Sequence, residues 1–308
     1  MVSLERAAPA KAGRAGALRA SRLALLALFV GGVAVASSGI FIKLSELPPT
    51  ATVFHRLFLS APFLWLWSRW ERPRSGLFRP PQGLRDYGEL AAAGALFAIN
   101  AAAWSWCMKY TTVANGSLIA NMSPIFVSLG AWVFLRERFS RAFLLGMLLA
   151  LLGAAALMGG SASMGGEHLT GDFLALTAAL FWGGYLLMLQ RLRRRFTTAT
   201  IMTWTSISAA AMLLAASAAN GERLIPATAE GWGAILGLAL VAQVAGQSLI
   251  TFALAQLPAS FSSVGLLIQP VYAALGAWLV LGEVPEMLQA VGGGVVLGGI
   301  VIARRGVR

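Results

Sequence analysis

Long apolar stretches follow one another along nearly the whole chain, separated by short polar interruptions. Ten of them are of a length to cross a bilayer core of roughly 30 Å as helices. They cover residues 23–43, 51–68, 88–108, 113–135, 142–160, 172–190, 198–218, 231–255, 259–281 and 287–303. The second is interrupted by His55 and Arg56. The pattern predicts an all-α integral membrane protein of ten transmembrane helices, with loops too short to hold a soluble domain.

A second pattern is laid over the first. Leu129-Gly130-Ala131-Trp132 recurs as Leu275-Gly276-Ala277-Trp278, an offset of 146 residues (129 to 275). The same offset joins Pro124 to Pro270, Leu135 to Leu281, Glu137 to Glu283, Gly146 to Gly292 and Gly153 to Gly299. The chain therefore divides into a basic tail (1–22), a first repeat (23–160) and a second repeat (161–308). Five spans per repeat is an odd number, so the second repeat must enter the membrane inverted. The turn Leu135-Arg136-Glu137-Arg138 is basic, whereas its mate Leu281-Gly282-Glu283-Val284 is not. Opposite sides of the membrane would give that difference. Pro124 and Pro270 each remove a backbone donor inside a span and are expected to form matched kinks at a hinge or cavity wall. The glycines spaced by seven in the fifth and tenth spans read as packing faces.

Composition agrees: 58% of residues are hydrophobic and only 12% charged. The formal net charge of +12 invites a nucleic-acid partner, but its distribution argues for topology instead. With a cytoplasmic N-terminus, 20 of the 24 Lys and Arg residues fall on one side. The positive-inside rule then sets both termini in the cytoplasm, with the lipid bilayer and no nucleic acid as partner. Cys107 is the only cysteine, so there is no disulfide framework. Ala34-Val35-Ala36 mimics a signal-peptide cleavage site, but apolar character continues through Ile40-Phe41-Ile42, and cleavage would invert the charge bias.

These features resemble the drug/metabolite transporter superfamily, specifically its tandem ten-span EamA type. The resemblance is closest from Ala253 to Ala303, through Leu257-Pro258, Gln269-Pro270, Leu281-Gly282-Glu283 and the glycine-rich last span. The first half matches through Pro124 and Leu135-Arg136-Glu137, with Arg136 where the family usually has glycine. His55-Arg56-Leu57 resembles the family's arginine in the second span. The resemblance implies a basket-like bundle with a central cavity between the halves and alternating access in a bacterial inner membrane. It implies a small-molecule solute, no cofactor, and a monomer or weak homo-oligomer. It does not name the solute, because members move amino acids, nucleobases, sugars and other metabolites.

Polar groups at membrane depth are costly, so each is a site candidate. Asn100 and Trp104 (third span), Asn121 and Ser123 (fourth), Trp182 and Tyr185 (sixth), Gln243 and Gln247 (eighth), and Gln269 and Tyr272 (ninth) are the expected substrate-binding residues. Amides, hydroxyls and indoles suit a neutral or zwitterionic solute with an apolar portion. The competing use of such residues is interhelical hydrogen bonding. Arg56, with no mid-span carboxylate to pair with, is a candidate for anion recognition unless it snorkels to the membrane surface. His55 is the one candidate proton carrier. All twelve acidic residues lie in tails, loops or span ends, so carboxylate-based ion coupling is not expected. The expected function is export of amino acids or similar solutes by facilitated diffusion or exchange. The alternatives are a permease or exporter for a nucleobase, sugar derivative or drug, and, in a different class, an intramembrane enzyme or receptor. Two histidines and no nucleophile elbow supply neither a metal site nor a catalytic triad.

Overall fold

The apolar stretches form helices in the computed structural model, which describes residues 8–71, 80–111, 113–158, 169–272, 275 and 287–307. No strand occurs among the described residues. The first half holds α1 (Ala8–Ala36), α2 (Ser38–Leu44), α3 (Pro49–Trp70), α4 (Gly83–Tyr110), α5 (Val113–Ala120), α6 (Ser123–Leu135) and α7 (Arg141–Met158). The second holds α8 (Leu169–Leu192), α9 (Thr198–Ala219), α10 (Ala229–Gly237), a π-helical segment (Leu238–Gln247) and α11 (Ser248–Ala253). After these come α12 (Ala259–Gly265), a 3-10 turn (Leu266–Ile268) and α13 (Met287–Gly306). Among the described residues, six segments are long and apolar enough to cross a membrane: Gly83–Cys107, Gly116–Leu135, Leu169–Leu192, Thr198–Ala219, Ala229–Ala253 and Met287–Gly306. Ala20–Ala36 and Arg141–Ala156 are shorter apolar helices. The second Gly-Ala-Trp, the Leu281-Gly282-Glu283 turn and His168 lie outside the described residues.

Three elements differ from the expected spans. The tail is not separate from the first span, because α1 already begins at Ala8; its alanine-rich composition favours helix. The first span ends at Ala36, and the chain turns at Ser37 before α2. Each proline follows a local irregularity in its helix. Pro124 is the second residue of α6, immediately after a turn at Asn121–Met122. Pro270 follows the 3-10 turn. In both halves the irregularity falls within four residues before the proline. That is where the ring clashes with the carbonyl of residue i−4 and the missing N–H leaves that carbonyl without its helical donor. A proline is well placed at the start of a new helix.

Helices α7 and α13 approach backbone to backbone, and glycine is required there. A Cβ on Gly146 would lie 2.5 Å from the Gly299 carbonyl oxygen, and one on Gly153 would lie 2.7 Å from that of Gly292. Gly146 and Gly292 are repeat mates, as are Gly153 and Gly299, so each glycine contacts the mate of the other. The two helices therefore cross antiparallel, about a local two-fold relation.

A comparable exchange occurs between α3 and α9, which open on the same Thr-Ala-Thr triplet. The Glu71 carboxylate, at the end of α3, accepts from the Ala199 N–H at 2.7 Å. The Glu222 carboxylate, just past α9, accepts from the Ala51 N–H at 2.8 Å. Each helix thus ends in a carboxylate that satisfies a free donor in the first turn of the other, where negative charge is also favoured by the helix dipole. At the same end of the bundle as Glu71, Glu137 accepts from the Ser260 hydroxyl at 2.9 Å, tying the end of α6 to the start of α12. Burial lowers the Arg193 guanidinium from its ordinary value, against the opposing pull of Glu71.

Candidate functional site

Arg56 lies two turns into α3, on a helix face buried against the second half. Its surroundings hold it inside the bundle: the residue is only 7% exposed. Its Nε donates to Gln243 Oε1 at 2.9 Å, and its guanidinium carbon lies 5.5 Å from the centre of the Phe97 ring. That distance is within cation–π range. No carboxylate pairs with it among the described residues. Gln243 Nε2 in turn donates to the Ser206 hydroxyl at 3.4 Å, linking α3, the π segment and α9.

Tyr185 of α8 is fully buried and interacts with Arg56, Thr205 and Gln247. Its ring sits 5.0 Å from Phe97 and 5.7 Å from Trp182. Gln247, one helical turn beyond Gln243, is 0% exposed, yet neither its Nε2 nor its Oε1 has a well-formed hydrogen bond. Tyr185 is near enough to interact with it without satisfying it. An unpaired buried amide costs about 1–3 kcal/mol per group. Both glutamines belong to the π-helical segment, a conformation seen mostly as short bulges and frequently at functional sites.

Five of the expected residues therefore come together: Arg56, Trp182, Tyr185, Gln243 and Gln247. The others do not join them. Asn100 Nδ2 donates to the Ala178 carbonyl at 2.8 Å and so ties α4 to α8. Trp104 is half-buried one turn further along α4. His55 Nδ1 shares a hydrogen bond with the Ala51 carbonyl of its own helix at 2.9 Å, and its ring meets Phe54 and Trp232 edge-on. Ser123 is buried at the start of α6, and Gln269 packs near Gly32 of α1. Tyr272 lies against the apolar core. No hydrogen bond among the described residues joins Ser123, Gln269 or Tyr272 to the Arg56 cluster. Asn121 lines a separate, almost wholly apolar pocket with Leu118, Ile125, Leu151 and Ala155. That pocket has little chemistry to offer a polar solute, so the Arg56 cluster is the better candidate site.

Sequence reasoning missed Phe97, Thr205 and Ser206. Phe97 looks like any lipid-facing aromatic. Thr205 and Ser206 belong to a Thr/Ser-rich stretch in which Thr203, Thr205 and Ser208 all bond to carbonyls of their own helix. Only the spacing of four that places Gln243 and Gln247 on one face, opposite an unpaired arginine, could have pointed to the cluster.

Comparison with known proteins assigns the family. An uncharacterised transporter of Archaeoglobus fulgidus is 26% identical over 275 residues, 87% of this chain and 92% of its own length. The pseudopaline exporter of Pseudomonas aeruginosa is 27% identical over 81% of this chain and 84% of its own. A probable terminal-alkyne amino-acid exporter of Streptantibioticus cattleyicolor is 28% identical over 65% of this chain and 67% of its own. A crystal structure superposes with a TM-score of 0.74 at 17% identity, covering 91% of this chain and 96% of the other, a likeness of fold. The EamA-like transporter family matches the chain twice, over residues 22–159 and 169–305. With most of its length accounted for by those two matches, this multi-pass membrane protein belongs to the EamA-like transporter family.

Proposed function

We propose that the protein exports small solutes across a bacterial inner membrane by alternating access, and that amino acids or similar neutral or zwitterionic molecules are its solutes. The observation that carries this reading is the buried Arg56–Gln243–Gln247–Tyr185 cluster, drawn from both halves and set among apolar helices. Polar and charged groups at that depth mark solute paths more often than packing alone would require. Two relatives bear the word exporter in their names, one of them for an amino acid.

In this reading the halves, residues 23–160 and 161–308, are inverted repeats of five spans each. The exchanged glycine contacts of α7 and α13 and the reciprocal carboxylate caps of α3 and α9 support it. So does the double family match. The concentration of arginine in the stretches assigned to one side supports a cytoplasmic location for both termini. Inverted repeats commonly work by rocking one against the other around a fixed central site. The cap at Glu71 then lies on the cytoplasmic side and the cap at Glu222 on the periplasmic side. Opening either face separates α3 from α9 at that end and breaks one cap while the other holds.

The test is flux of a labelled amino-acid panel in proteoliposomes, with nucleobases, sugars and cationic drugs as competitors. Saturable amino-acid flux is expected. Saturable flux of a competitor with none of the amino acids would reassign the solute. Correctly folded protein that carries nothing in the panel would overturn the export reading.

A further inference from the structure

The Arg56 guanidinium is used only in part. It can donate five hydrogen bonds, and among the described residues the one it makes runs from Nε to Gln243. Phe97 covers one face. A permanent cation enclosed among apolar helices is normally paired, because leaving it unpaired is strongly unfavourable. Polar groups beside it are Gln243, which already accepts from Nε, and Tyr185. Beside Tyr185 lies Gln247, whose amide has both a donor and an acceptor without a well-formed partner although the residue is completely buried. Two independent groups are thus short of partners in one cluster: a guanidinium with two outer nitrogens and an amide with both ends.

Their complement is a carboxylate. A carboxylate is planar and accepts two parallel hydrogen bonds from the edge of a guanidinium, and the Gln247 NH2 can donate to one of its oxygens. The Gln247 carbonyl is left for a donor on the solute, an ammonium or hydroxyl on the adjacent carbon. Phe97, Tyr185 and Trp182 stand around this point with ring centres 5.0 to 6.5 Å apart. Such a wall suits an apolar or aromatic side chain.

We infer that Arg56 and Gln247 form a carboxylate-binding subsite, so that the transported solutes carry a free carboxylate next to a hydrogen-bond donor, with their apolar portion against the Phe97–Trp182–Tyr185 wall. This rests on the export reading for its physiological meaning but not for its test. Arginine keeps its charge over the whole working pH range, so carboxylate recognition here needs no protonation step. Amines, amides and esters of the same skeleton lack the second anionic oxygen and leave Arg56 unpaired.

The experiment measures binding to purified protein by thermal shift and flux in proteoliposomes, using phenylalanine, 3-phenylpropionate, phenylalaninamide and phenethylamine. For the wild type, the two acids are expected to bind and the amide and amine to bind about 10- to 100-fold more weakly, the range of a charge-assisted hydrogen-bonded contact. Arg56→Gln should erase the preference for acid over amide, and Arg56→Lys should restore part of it without the bidentate geometry. Gln247→Leu offers a second route should both arginine variants fail to fold; it should weaken acid binding while leaving the preference for acids in place. Equal binding of acids and amides by the wild type overturns the inference, as does an acid preference that survives in Arg56→Gln. Failure of the wild type to bind either acid overturns it as well. Flux of amides as fast as acids would remove the subsite and leave the exporter standing. Binding of acids with no flux of any compound would keep the subsite and remove the exporter.

Discussion

Gln247 combines complete burial with two unsatisfied polar atoms, and the consequence can be measured on stability alone. Replacing it with leucine removes groups that cost about 1–3 kcal/mol each when unpaired and keeps most of the volume. Gln247→Leu is therefore expected to raise the unfolding midpoint in detergent while reducing flux, the trade-off seen when a site residue is retained for function rather than stability. A lower midpoint would mean that Gln247 is held by partners after all. Arg136 offers a second case. Its φ of 54° puts a non-glycine residue in the left-handed region at the end of α6, where the Glu137 N–H reaches back to the Ala131 carbonyl at 3.1 Å. The Arg136 N–H reaches the same carbonyl, and the left-handed residue that closes a helix is usually glycine. A left-handed L-residue costs about 1–2 kcal/mol, part of which glycine loses again through its freer unfolded chain. Arg136→Gly should stabilise the protein by up to about 1 kcal/mol in reversible unfolding. In the orientation proposed above this turn is cytoplasmic, where the positive-inside rule favours arginine over the better backbone residue.

Paired helices α3 and α9 carry the corresponding lesson among elements. Glu71→Gln and Glu222→Gln each replace a charge-assisted cap with a neutral one, weakening the contact by about 1 kcal/mol. Because the two caps lie at opposite ends of the same helix pair, the variants should shift access in opposite directions. Cysteine probes on the two faces are expected to become more reactive at the Glu71 end in the first variant and at the Glu222 end in the second. Equal changes at both ends in both variants would show general loosening instead. Packing of α7 on α13 should be less forgiving, since Gly153→Val would drive a side chain into the Gly292 carbonyl and the backbone nitrogen of Val296. A large loss of folded protein is expected in gel filtration. The sequence periodicity made the helices and the repeat readable, and the glycine spacing made α7 and α13 readable as packing faces. It could not reveal the π-helical form of Leu238–Gln247, or that Glu71 and Glu222 exchange caps. Both depend on which helix lies alongside in three dimensions, whereas hydropathy records only that a residue is apolar. The same limit applies to the prolines, before which the helix tightens or turns.

Over the whole molecule, the question left by these local arguments is what drives transport. Among the described residues, Glu46, Glu71, Glu137 and Glu222 lie at or just beyond helix ends and cap or cross-link helices. His55 is enclosed by Phe54 and Trp232 and bonded to its own helix, an arrangement that fixes the ring rather than exposing it to alternating faces. Flux is therefore expected to proceed down a solute gradient without a pH gradient. His55→Gln should retain most of it, since the amide can still bond to the Ala51 carbonyl. Changes in flux with bulk pH must be separated from changes in stability, and Glu46 shows where the latter lie. The Thr228 hydroxyl and the Ala227 N–H hold its carboxyl below the ordinary value of 4.5. A depressed folded value means that its contribution is fully present above the ordinary value and is lost only as pH falls through the folded one. Between about pH 6 and 8, where a histidine would titrate, Glu46 contributes unchanged. Flux measured with equal pH on both sides over that interval should stay flat in the wild type and in His55→Gln. A wild-type flux that requires a pH gradient and is abolished by His55→Gln would instead make His55 the proton carrier, and the rigid packing around it would then have to open during the cycle.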